Sequence, residues 1–154
     1  METITCTANI KSGPDIMARP GPPHTYFGVA RGMLPGAQIL EANTLPPAMP
    51  LSLICAHTLE CLLKAFLSRN GNDKRLKAQE LRHNLEKLWH LAEAEGLGIA
   101  NQPPAWVVNL NQLHDSPYYL RYSTDVHAIV MPEPQTMVSE LVALFTQVET
   151  KLFK

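Results

Sequence analysis

Residues 49–69, with the sequence MPLSLICAHTLECLLKAFLSR, form the stretch that decides the fold. Pro50 is tolerated in the first turn of a helix, and Gly71 supplies a left-handed conformation just beyond its end. Large apolar side chains surround most of the predicted helix: Leu51, Ile54, Leu59, Leu62, Leu63, Phe66 and Leu67. A helix that is apolar on nearly all sides belongs in the middle of a bundle.

Other segments of the chain have apolar residues at helical spacing. They predict helices over about 26–42, 76–95, 105–114 and 134–152. Pro35 is expected to kink the first of these or to split it, and 126–131 is the only strand-like stretch. The sequence thus predicts an all-α protein, an antiparallel four- to five-helix bundle, with 1–25 as an irregular N-terminal arm and 26–154 as a single domain.

Composition excludes several classes of protein. The chain has 154 residues, of which 45% are hydrophobic and 18% charged, and this suits a folded domain. Its net charge of −1 gives no global field for nucleic acid or membrane. Polar residues interrupt the apolar helix, so we expect no membrane span. Three cysteines make no disulfide framework, and no secretory signal is visible. We therefore expect a cytoplasmic location.

Basic residues concentrate in one part of the chain. Between Lys64 and Lys87 lie seven of the 13 basic residues and three acidic ones. This local excess is suited to a phosphate-bearing ligand, and it is equally typical of a solvated corner between two helices.

A polar stripe follows one face of the central helix. His57, Glu60, Cys61 and Lys64 are spaced i, i+3, i+4 and i+7, and Glu60 and Lys64 form an i,i+4 pair in the favourable order. The stripe is either the solvent edge of the helix, a structural ion pair, or the wall of a cleft, which His83 or Arg82 from the next segment is placed to face. A zinc site at His57 and Cys61 has no convincing second pair of ligands, and we predict no metal and no cofactor.

A second polar group lies near residue 120. Tyr118-Tyr119-Leu120-Arg121-Tyr122 combines three tyrosines with an arginine, a set that can stack on a base and hold a phosphate, or can pin a loop against the bundle. His127 follows Arg121 after five intervening residues. A guanidinium that holds a phosphate and an imidazole that titrates near neutrality suit phosphodiester cleavage.

These elements resemble those of a known family. The run HTLECLLKAFL at 57–67 resembles the central helix of HEPN-domain proteins, RHNL at 82–85 is similar to their His-Asp-Leu element, and Arg121-Tyr122 resembles an Arg-Tyr before their closing helix. The resemblance covers about residues 50–152. It implies an all-α bundle, often a homodimer, from prokaryotic defence or toxin–antitoxin systems, in which a cognate antitoxin is a partner.

Two functions follow from the resemblance. One is a metal-independent ribonuclease in which His127 moves the proton of a ribose 2′-hydroxyl and Arg121 holds the phosphate. The other is a non-catalytic module that binds RNA or a nucleotide, or another protein, with His57, Glu60, Lys64, His83 and Tyr122 as binding residues. Asn84 at the usual Asp position and Tyr122 directly after Arg121 are departures from the nuclease pattern, and they point to a non-nucleolytic branch of the family. The ribonuclease is the first hypothesis, and the binding module is the alternative.

Overall fold

The computed structural model describes residues 20–122 and 128–154. This part of the chain is a helical bundle without strands. Its helices are α1 (His24–Glu41), α2 (Ala48–Leu67), α3 (Leu85–Ala94), α4 (Ala105–His114) and α5 (Pro134–Phe153), with one 3-10 turn at Lys74–Lys77. The prediction of an all-α fold is confirmed.

Helix α2 is the centre of the bundle, because each of the other four α-helices packs against it. Its large apolar side chains, among them Leu51, Leu59, Leu62 and Phe66, are buried. It is also long and apolar enough to cross a membrane by length and composition alone. However, 78% of its most apolar window is buried within the bundle, as in the core helix of a soluble protein.

Helix α1 runs through Pro35 without interruption, so the expected split does not occur. A proline removes one backbone hydrogen bond from a helix. Ala30, Leu34 and Ala37 lie on both sides of that position and are all buried in the core. This packing keeps the two halves of α1 together. The helix begins at His24, slightly before the predicted end of the arm, and residues 1–19 lie outside the described part of the chain.

The prediction of one helix over 76–95 is wrong. Residues 78–84 are turns and irregular chain, and α3 begins only at Leu85. Asn84 is its N-cap, with a side-chain oxygen that accepts the backbone N–H of Lys87. Just before it, the carbonyl of Arg82 accepts a hydrogen bond from the ammonium of Lys64. The segment before α3 is therefore tied to α2 through the Arg82 carbonyl.

The strand-like stretch at 126–131 forms no strand in its described part. Residues 128–133 have no regular secondary structure, and 123–127 lie outside the described residues. At Glu133 the side chain accepts the backbone N–H groups of Gln135 and Thr136, which caps α5.

Candidate functional site

Glu60 of α2 holds together the polar interior of the bundle. Its Oε1 is 2.6 Å from the ammonium of Lys64, and its Oε2 is 2.6 Å from Nε2 of His114 and 3.1 Å from Nδ1 of His83. Glu60, Lys64 and His114 are 4%, 5% and 0% exposed. We call these three residues the Glu60 network. Glu60 and Lys64 of the stripe are therefore a buried ion pair and not a solvent edge.

The Glu60 carboxylate is ionised in the folded protein. Burial acts to raise its pKa, but the hydrogen bond from His114 and the positive charge and hydrogen bond of Lys64 outweigh burial, and the pKa lies far below its usual value. An ionised carboxylate only accepts hydrogen bonds. The proton in each imidazole contact therefore belongs to the ring, so His83 donates through Nδ1 and His114 through Nε2.

A second group lies above this network at the surface. Arg121 is exposed, and its guanidinium lies against the imidazole of His83, with Nη1 3.3 Å from Nε2 and Nη2 3.4 Å from Nδ1. The ring of Tyr118 packs edge-on against His83 with 5.6 Å between centroids, and that of Tyr122 packs against Tyr118 at 6.3 Å. We call His83, Tyr118, Arg121 and Tyr122 the Arg121 face. Its link to the Glu60 network is His83.

The loop after α4 gives the Arg121 face its shape. Tyr118 has a φ of +66°, in the left-handed region that non-glycine residues seldom occupy. Its N–H donates to the carbonyl of Asp115 at 2.7 Å, and its own carbonyl accepts the N–H of Arg121 at 2.9 Å. The side chain of Asp115 in turn accepts a hydrogen bond from Asn84. The strained turn is thus held by bonds on both sides, as is common where a loop positions functional side chains.

The histidines of α2 and of the turn before α3 favour their neutral forms. Burial lowers the pKa of His83, which outweighs the hydrogen bond to Glu60, and the positive charge of Arg121 lowers it further. Burial also lowers the pKa of His57, again against the attraction of Glu60. His57 is half-buried, and its Nε2 lies 3.9 Å from the sulfur of Cys61.

Most of the site residues predicted from the sequence lie in one connected group. The structure joins Glu60, Lys64, His83 and Arg121 into one chain of contacts, and Tyr122 lies at its outer end with 60% exposure. Arg121 reaches Glu60 only through the ring of His83. The other predicted catalytic residue, His127, lies outside the described residues.

Within the described ranges, one trio of side chains has the ligand types of a metal site. Ligand atoms of His57, Glu60 and His114 lie within 4.8 Å of one another. A cation there would compete with the Lys64 ammonium, which is already 2.6 Å from Glu60. Burial raises the pKa of the Cys61 thiol to about 12, and so a thiolate ligand beside the trio is disfavoured. The arrangement fits an ion pair better than a metal centre.

His114 and Asn111 are missing from the sequence-based set. Asn111 accepts the backbone N–H of Leu85 and donates to Glu86, which ties α4 to the start of α3. His114 lies on the same side of α4 as the buried Val107 and Leu110, at spacings of seven and four residues. That position on an apolar stripe is a signal for a buried histidine. Its Nδ1 has no hydrogen-bond partner among the residues that the structure describes.

Comparison of the chain with known proteins found no match. No family model matches the chain, and neither a curated protein nor a solved structure matches it. The inference of function therefore depends on the residues of the chain itself.

Proposed function

We propose that this chain is a HEPN-like protein that binds RNA or a nucleotide through the Arg121 face. The observation that carries the proposal is the position of Arg121, an exposed guanidinium held against the imidazole of His83 and flanked by tyrosines. The HEPN assignment itself is supported by the motifs at 57–67, 82–85 and 121–122. The first two meet where His83 contacts Glu60, and the third joins them where Arg121 contacts His83.

The chemistry of the Arg121 face suits a phosphate and a base. A guanidinium binds phosphate oxygens through two parallel N–H groups. Its contact with His83 is to a side chain that is largely neutral, so no carboxylate neutralises the guanidinium through this contact. Tyr122 is 60% exposed and offers a ring on which an unpaired base can stack. Together these groups favour single-stranded RNA or a free nucleotide over a duplex.

The Glu60 network supports the binding site from below. A buried carboxylate fixes the ring of His83 through Nδ1, and the ring in turn supports the guanidinium. Lys64 is only 5% exposed and is bonded to both Glu60 and the Arg82 carbonyl, so we assign it a structural role instead of a ligand contact. His57 and Glu60 likewise act from within the bundle in this proposal.

Metal-independent cleavage of RNA is the second candidate function. It is favoured by the exposed guanidinium of Arg121 and by the spacing of His127, which follows after five residues. In this reading the chain is the ribonuclease of a toxin–antitoxin or defence system. A homodimer and an antitoxin partner belong to the same proposal and are supported by the resemblance. Light scattering on the purified chain tests the dimer.

Fluorescence anisotropy with a labelled single-stranded RNA tests the main proposal. Arg121→Ala is expected to weaken binding about 10- to 100-fold, because it removes charge-assisted hydrogen bonds worth roughly 1.5–3 kcal/mol. Tyr122→Ala removes one stacking ring and should also weaken binding. Arg31→Ala, which removes an exposed arginine from α1, is the matched control and should bind as wild type does. Equal affinity for wild type and Arg121→Ala would refute the proposal.

A further inference from the structure

The two nitrogens of His83 have different surroundings. Nδ1 donates to the ionised carboxylate of Glu60 at 3.1 Å. In the neutral ring Nε2 then carries a lone pair, and it lies 3.3 Å from the exposed guanidinium of Arg121. A carboxylate that holds one imidazole nitrogen and leaves a lone pair on the other is the arrangement of a general base. This lone pair faces the Arg121 guanidinium, and it becomes free to take a proton when the guanidinium turns from the ring to a phosphate.

We propose that Nε2 of His83 accepts the proton of a ribose 2′-hydroxyl when Arg121 holds the neighbouring RNA phosphate. The inference rests on the proposed function, since Arg121 must first bind the RNA. His83 lies within the described part of the chain, whereas His127 does not. Glu60 is a positioning residue in this scheme, because it acts on the RNA only through His83.

The reaction balances without a metal or a second reactant. The 2′-hydroxyl proton passes to His83 Nε2, and the 2′-oxygen forms a bond to phosphorus. The bond between phosphorus and the 5′-oxygen of the next nucleotide breaks, and this oxygen takes a proton from water. The products are a 2′,3′-cyclic phosphate and a 5′-hydroxyl, and His83 returns its proton to solvent. Arg121 stabilises the charge on the phosphoryl oxygens throughout.

The charges around His83 keep it ready to accept a proton. Glu60 faces it from α2, His114 from α4 with ring centroids 5.6 Å apart, and Arg121 from the loop. Burial is the largest influence and lowers the pKa of His83, while Glu60 opposes and Arg121 reinforces the change. The ring is thus neutral at neutral pH, the form that a general base requires.

Cleavage of a single-stranded RNA in the presence of EDTA tests the inference. Wild type should release products with a 2′,3′-cyclic phosphate, at a rate that rises with pH and reaches a plateau above the pKa of His83. His83→Ala should cleave about 100- to 10,000-fold more slowly, and imidazole added to the solution should restore part of the rate. His90→Ala, which changes an exposed histidine on α3, is the matched control and should cleave as wild type does.

Binding is measured separately with 2′-O-methyl RNA of the same sequence, which has no 2′-hydroxyl proton to lose. If wild type binds this RNA but leaves the unmodified RNA intact, the inference is overturned and the proposed function stands. If wild type binds neither RNA, the proposed function is overturned as well. Far-UV circular dichroism checks that His83→Ala is folded, and His83→Gln, which keeps an N–H donor for Glu60, replaces it if it is not.

The residue that takes the proton is identified by comparing two variants. Slow cleavage by folded His83→Ala, together with its rescue by imidazole, supports the inference. Cleavage at the wild-type rate by His83→Ala and its loss in His127→Ala would overturn it in favour of the Arg121–His127 pair. An unchanged pH profile in His83→Gln would overturn it too.

Discussion

The Glu60 network and the Arg121 face lie next to each other and share the ring of His83, yet water reaches them very differently. Glu60, Lys64 and His114 are almost entirely buried, whereas Arg121 is exposed and Tyr122 is 60% exposed. The cationic group of the network is bonded to a carboxylate at 2.6 Å, and that of the Arg121 face lies against an imidazole.

Because of this difference in exposure, we expect the positive charges of Lys64 and Arg121 to have different roles. Removing one member of a buried pair leaves the other as an uncompensated charge, and this is costly for folding. An exposed guanidinium keeps its N–H groups for a ligand and contributes little to the fold. We therefore expect changes in the Glu60 network to affect stability first, and changes in the Arg121 face to affect RNA binding first.

The largest effect is expected from Lys64→Ala. It leaves Glu60 ionised and buried without its cation, and the free energy of unfolding should fall by about 3–5 kcal/mol. Lys77→Ala is the matched control, because Lys77 also forms an i,i+4 pair, with Asp73, but is 68% exposed. Its cost should be about 0–1 kcal/mol. Urea unfolding measures both values. Similar losses for the two variants would contradict the structural role of Lys64.

Acid should destabilise the protein in two stages. The pKa values of His57 and His83 are lower in the folded protein than their usual value of 6.5, so their stabilisation is present above pH 6.5 and is lost as pH falls below it. Below pH 4.5, the usual value for Glu60, the loss should steepen, because the folded pKa of Glu60 is far lower. Each group removes about 1.4 kcal/mol per pH unit between its unfolded and folded pKa values.

Thermal unfolding between pH 8 and pH 3 measures this profile. Glu60→Gln, whose side chain does not titrate, should lose most of the stage below about pH 4.5 and keep the one below about pH 6.5. A profile for Glu60→Gln that matches wild type in the acid range would show that another carboxylate is responsible.

The smallest effect on stability is expected from Arg121→Ala. Its guanidinium is exposed and contacts only a neutral ring among the described residues, so the free energy of unfolding should change by less than about 0.5 kcal/mol. The same variant should show the large loss of RNA affinity proposed above. Urea unfolding checks the first value. A loss of several kcal/mol would mean that Arg121 pins the loop and is not free for a ligand.

The sequence predicts well those features of the structure that depend on the spacing of nearby residues. The apolar run of α2 and the i,i+4 spacing of Glu60 and Lys64 are properties of neighbouring residues, and both predictions agree with the structure. The continuous helix over 76–95 fails because apolar spacing does not show that the Arg82 carbonyl and the His83 ring turn toward α2.

Contacts between distant segments account for the rest of the site. His114 meets Glu60 across 54 positions of sequence, and Arg121 meets His83 across 38. The residue types of Arg121 and His83 indicate phosphate chemistry, but their contact depends on the turn at Tyr118 and on its bond to Asp115. No spacing rule in the sequence encodes that turn.

The division of roles between the Glu60 network and the Arg121 face is tested most directly by an NMR titration of the histidine side chains with short single-stranded RNA. The ring signals of His83 should shift in a saturable way, because the RNA phosphate draws the Arg121 guanidinium away from the ring. The exposed ring of His90 should not respond, and the folded spectrum of the bundle should persist. Saturable shifts at His90 with none at His83 would show that RNA does not bind at the Arg121 face, and so would His83 signals that RNA leaves unchanged.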